Sequence, residues 1–129
     1  MGFFDFLKAP AGASRGSVSQ PTELRIQQDW DLIKVLLSQK GPSQLRQALI
    51  TADKTLDSAL REIAVGDTMA ERLKNSQYKF DVHTYQRIWD AHKLRNNLVH
   101  EAGFEPPHFM ITEAVANLQR ALQALGLRV

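Results

Sequence analysis

One stretch of the chain carries polar side chains where a helix should be apolar. Between Asp81 and Gly103, at about 100° per residue, Val82, Tyr85, Ile88, Trp89, Ala91, Val99 and Ala102 define a wide apolar arc. His92, Arg95 and Asn96 fall inside that arc, and His100 lies at its edge, nearly in line with Asn96. Gln86, Asp90, Lys93, Asn97 and Glu101 hold the outer face. A polar group on a buried face needs a partner or a use. As a use, the Arg95 guanidinium would hold a phosphate bidentately. The His100 imidazole would move protons near neutral pH. Together they suit RNA cleavage, in which a base takes the ribose 2′-hydroxyl proton and a cation stabilises the pentacovalent phosphate. The structural account has Arg95 pairing with a carboxylate of another helix, Glu62 or Glu71, and Asn96 satisfying a neighbouring helix end. His100, in the last turn, then bonds orphan carbonyls and complements the helix dipole.

The elements that must position these residues are all helical, because no stretch shows strand alternation. A first helix is expected over roughly 22–38, with Ile26, Trp30, Ile33 and Leu37 on one stripe. Gly41-Pro42-Ser43 breaks it and starts the next. That second helix carries Leu45, Leu49, Ala52, Leu56, Ala59 and Ile63 in an a/d rhythm, and Gly66 is expected as its left-handed cap. Thr68-Met-Ala-Glu71 reads as a capping box opening a short helix to about Lys74, followed by a loop over Asn75–Phe80. Asp81 caps the long helix, which runs to about Ala102 and closes on Gly103. Pro106-Pro107 forbids continuation. A last helix from about Thr112 to Leu125 aligns Ile111, Val115, Leu118, Leu122 and Leu125, and Gly126 stops it. The expected fold is therefore all-α, an antiparallel four-helix bundle with one extra short helix.

Composition narrows the chemistry further. A length of 129 residues suits one compact domain with a short appendage, and 43% hydrophobic and 23% charged residues are an ordinary globular balance. Sixteen cations against 14 anions give a net charge of +2, so bulk charge announces no nucleic-acid binder. The absence of cysteine removes disulfide scaffolds, thiolate metal sites and cysteine nucleophiles. Four histidines invite a metal, but no Glu-x-x-His or His-Glu-x-x-His spacing occurs. His92 and His100 are about two turns apart without a third ligand, so no metal and no cofactor are expected. His83 and His108 read as surface or loop residues. Lys93, Arg95, Lys74, Arg72 and Lys79 could form a modest basic patch, although scattered cations on a solvated face are commoner.

Residues 1–20 read as a flexible tail and 21–129 as the helical domain. Phe3, Phe4, Phe6 and Leu7 crowd the start, without the longer apolar core of a signal peptide. The commoner fate of such a segment is to pack back on its own domain. The functional alternative is a short aromatic anchor making weak membrane-surface or protein contact. Residues 9–20 hold one sizeable apolar residue, Val18, and read as a linker.

Arg95-Asn-Asn-Leu-Val-His100 resembles the signature of the HEPN superfamily. That signature is an arginine, often followed by Asn, Asp or His, then a histidine four to six residues beyond it, late in a helical bundle. The wider pattern is similar to short bacterial proteins over about residues 45–126. It rests on Gly66-Asp-Thr-Met-Ala-Glu-Arg-Leu73, Trp89-Asp-Ala-His-Lys-Leu-Arg-Asn96 and His100-Glu101. The resemblance implies a HEPN-like bundle that dimerises. Its catalytic versions are metal-independent RNases whose arginine and histidine meet in the dimer cleft, and many members bind without cutting. Carried over, Arg95 binds phosphate, Asn96 is a polar accessory and His100 is the general base or acid. Lys93 and His92 would line the binding surface, with Glu71 as the nearest acidic partner. A five-residue step puts Arg95 and His100 about 140° apart on an ideal helix. They converge only at a distorted helix end or across two chains. The expectation is a small cytoplasmic homodimer, membrane-peripheral if its tail anchors it, that binds or cleaves RNA or binds a nucleotide. The alternative is a non-enzymatic interaction module localised by the aromatic tail.

Overall fold

The computed structural model describes residues 16–129. The aromatic segment with Phe3, Phe4 and Phe6, and its expected anchoring role, lie outside the described residues. Among the described residues five α-helices follow in order: α1 (Gln20–Gln39), α2 (Pro42–Ile63), α3 (Met69–Asn75), α4 (Val82–His100) and α5 (His108–Ala124). A 3₁₀ turn, Gln77–Lys79, lies in what reads from the sequence as loop. The described residues contain no strand, and none of their helices is long and apolar enough to cross a membrane.

Proline and one left-handed residue set the first hairpin. Lys40, at φ 62°, ends α1, and Pro42 begins α2 with its φ already fixed for a helix. The two helices run antiparallel: Thr22 bonds Glu62 near one end, and Trp30 Nε1 donates to Thr55 Oγ1 at 3.1 Å further along. The a/d stripe of α2 is the centre of the core, with Leu49, Ala52, Leu56 and Ala59 fully buried. α1 and α5 both pack on α2, and α4 packs chiefly on α5. α4 also runs antiparallel to α2, since Asp53 meets His92 while Arg46 meets the Leu98 carbonyl.

Several boundaries differ from expectation for identifiable reasons. α2 ends at Ile63, and Ala64 is extended, so Gly66 is not its cap. Gly66, at φ +149°, instead lets the chain cross the first turn of α3. A Cβ there would sit 2.9 Å from Arg72 N and from Glu71 Cβ. Gly66→Ala should therefore destabilise the bundle by about 1–3 kcal/mol, read as a fall in the urea midpoint at constant slope. Beyond it half of the expected capping box forms: Glu71 N donates to the N-cap Thr68 Oγ1 at 3.1 Å, while Glu71 Oε1 reaches one residue further back and accepts from Asp67 N at 2.7 Å. Asp81 caps α4 by accepting from Thr84 N at 2.8 Å, a bond that holds its carboxyl below the usual range. The last helix starts at His108, four residues before the expected Thr112, because Pro107 takes the position before the first turn and launches it.

Two further expectations change. Residues 16–20 belong to the fold, not to a linker. Ser19 N donates to Glu62 Oε1 at 2.7 Å, Gly16 O accepts from Lys79 Nζ at 2.9 Å, and Val18 packs on the core. The buried face of α4 is also narrower than the expected arc. Val82 is 71% exposed, Val99 46%, and Ala102 is exposed beyond the helix end. The seam is Ile88, Ala91 and Leu98, flanked by half-buried Tyr85, Trp89 and Leu94. Both valines lie in the terminal turns of α4 and face outward there.

Candidate functional site

The polar residues of α4 meet a residue that belongs to the core stripe of α2. Asp53 follows Ala52 and stands one turn beyond Leu49, with its side chain only 4% exposed. His92 Nδ1 lies 3.0 Å from Asp53 Oδ2 and 3.2 Å from Oδ1. Arg95 Nε lies 3.7 Å from the same Oδ2, an ion pair without a hydrogen bond. Arg95 Nη1 donates to Asn96 Oδ1 at 3.0 Å. Trp89 presents its ring edge-on to His92, with centroids 6.2 Å apart, and Tyr85 meets Trp89 in the same way. His92 is thus pinned between an aromatic ring and a carboxylate.

This buried carboxylate answers the question raised by polar groups on the inner face of α4. A lone Asp in the core carries a heavy desolvation cost. An imidazole N–H and a guanidinium beside it offset that cost, and the anion in turn orients both. Satisfaction is incomplete: Arg95 Nε is buried without a hydrogen-bond partner. The side chain remains 31% exposed, so its outer edge reaches the surface while its inner edge faces Asp53.

The other candidates are placed elsewhere. His100 is exposed as the last residue of α4, with its side chain at the surface. The orphan carbonyl of Leu98 is taken by Arg46 Nη2 at 2.8 Å, so His100 is not needed to cap the helix. Lys93 is exposed on the outer face. Glu71 is committed to the capping box and does not approach Arg95. Glu62, the other carboxylate expected for Arg95, bonds Ser19 and Thr22 instead. The modest basic patch loses Arg72, which is buried against Asp57 at 2.8 Å and donates to Gly66 O. The structure therefore brings Arg95, Asn96 and His92 together and leaves His100 apart from them within one chain.

Asp53 is the residue that sequence reasoning misses. The signal was present: a carboxylate between Ala52 and Leu56 interrupts an apolar stripe, just as Arg95 does on α4. Among the described residues, no three His, Cys, Asp or Glu side chains are placed to hold a metal ion. No protein-family model, no curated protein and no solved structure matches the chain.

Proposed function

We propose that the chain is a HEPN-like RNA-binding domain that works as a homodimer. Arg95 of one copy and His100 of the other form a metal-independent cleavage site. The observation that carries this reading is the half-used Arg95 guanidinium. Asp53 and Asn96 fix its inner edge, its Nε lacks a hydrogen bond, and its outer edge is open. A guanidinium held this way is preorganised for a phosphate. His100 stands exposed at the helix end, free to serve a neighbouring chain. In the reaction, His100 takes the proton of the ribose 2′-hydroxyl, the 2′-oxygen attacks phosphorus to leave a 2′,3′-cyclic phosphate, and the 5′-oxygen departs as a hydroxyl by taking a proton from water. Arg95 stabilises the charge on the phosphate. A two-fold axis brings two arginines and two histidines into one cleft, where an anion relieves their repulsion.

A second reading rests on the Asp53–Arg95 ion pair. If that pair is purely structural, the chain is a non-enzymatic interaction module. Sedimentation and fluorescence anisotropy with a short RNA separate the two. The proposal expects dimers that tighten with RNA. It also expects Arg95→Lys to keep the fold but bind RNA about tenfold more weakly, because an ammonium cannot grip phosphate bidentately. A strict monomer with and without RNA, and unaltered behaviour of Arg95→Lys, leave the interaction module as the better account.

A further inference from the structure

A groove runs between α4 and α5 and ends in a concavity of about 190 Å³, lined by His83, Thr84, Arg87, Asn117 and Arg120. Two features set it apart. First, Asn117 is only 7% exposed on the core-facing side of α5, between the buried residues Ala114 and Leu118. A buried amide on an apolar seam needs a reason. Here its Oδ1 accepts from Arg120 Nη1 at 2.7 Å, which fixes that guanidinium at the cavity lip. Second, no carboxylate lines the concavity, and among the described residues neither Arg87 nor Arg120 forms an ion pair. Asp81, nearby in sequence, is engaged with the Thr84 N–H and hydroxyl. Asp90 and Glu113 line the adjoining part of the groove, which Arg87 and Asn117 share.

We infer that this concavity binds a phosphate monoester. Two permanent cations, a histidine and a donor-bearing amide face one small space. That charge suits a terminal phosphate, which carries close to two negative charges near neutral pH, better than the single charge of a backbone diester. The volume accommodates a phosphoryl group and the first atoms of its substituent. The acidic stretch beyond Arg87 discourages a continuous polyanion from following the groove. The inference does not depend on the Arg95 site, which faces α2.

Titration of the whole chain with inorganic phosphate, followed by heteronuclear NMR at constant ionic strength, tests it. Saturable shifts should centre on His83, Arg87, Asn117 and Arg120. Arg87→Gln and Arg120→Gln should each weaken binding about tenfold or more, as expected for losing a charge-assisted hydrogen bond. Asn117→Ala should weaken it by releasing Arg120. Arg95→Lys should leave the saturable shifts at His83, Arg87, Asn117 and Arg120 unchanged, which separates this site from the proposed RNA site. Mononucleotides and 5′-phosphorylated or 5′-hydroxyl RNA then distinguish a small ligand from an RNA end. Shifts that do not saturate, or glutamine variants that bind phosphate as the parent does, overturn the inference.

Discussion

Replacing Asp53 with alanine should be among the most damaging single substitutions in the bundle, costing about 3–5 kcal/mol and lowering the melting temperature by on the order of 10–20 °C. The carboxylate is 4% exposed and serves both His92 and Arg95. Removing it leaves a guanidinium already short of one partner, and an imidazole held beside it, without the anion that offsets their burial. Arg95 can turn outward because it is partly exposed, which places the cost toward the lower end of that range. Asp53→Asn keeps the volume and an acceptor for His92 but loses the charge, so a smaller cost of about 1–2 kcal/mol is expected. Combining Asp53→Ala with Arg95→Ala should recover part of the loss, since neighbours in one network are non-additive. Thermal and urea unfolding of the four proteins measure this. Parent-like melting of Asp53→Ala would show that the cluster does not anchor α4 to α2. If Asp53 also positions Arg95 for phosphate, Asp53→Asn should lose RNA affinity while staying largely folded, an effect that a purely structural pair does not produce.

The regular part of this fold is legible because helical period and punctuation agree. The stripe from Leu45 to Ile63 lies in the core, and Thr68 and Asp81 cap the helices they precede. Misreadings occur where local pattern must yield to neighbours. Val82 and Val99 fit the arc of α4 by angle, but both stand on the exposed side of its terminal turns. Gly66 signals a helix end by composition, whereas its role is a close crossing over α3. Pro106-Pro107 marks a break, and only the three-dimensional path shows that the same pair launches α5. The site divides in the same way. Arg95, Asn96 and His92 are recognisable as polar residues on an inner face, yet their partner Asp53 lies 39 residues before His92. Period within one helix cannot assign a contact across two, although the same test applied to α2 would have found the carboxylate. The proposed pairing of Arg95 with His100 is harder still, because a contact between two chains leaves no mark on the period of one helix.

The proposed pairing across two chains yields a prediction with a quantitative signature. His100→Ala should reduce RNA cleavage by about 10²–10⁴-fold, the usual contribution of general acid–base catalysis. Because His100 is exposed and Arg46 already satisfies the Leu98 carbonyl, the melting temperature should barely move. Arg95→Lys should also be severely impaired in cleavage, since it loses the bidentate hold on the phosphate. Neither protein alone contains an intact pairing of the two residues. Mixed in equal amounts and allowed to exchange subunits, about half of the dimers become mixed. In each mixed dimer the Arg95 of the His100→Ala chain faces the His100 of the Arg95→Lys chain, which restores one of two sites. The mixture should therefore recover about one quarter of parent activity. A site assembled within a single chain cannot be rescued this way, because each chain would still lack one member. Absence of cleavage by the parent removes the enzymatic half of the proposal. Cleavage that survives His100→Ala removes the histidine from it. Recovery on mixing would place Arg95 and His100 on opposite sides of a dimer cleft, an arrangement that accommodates their roughly 140° separation on one helix.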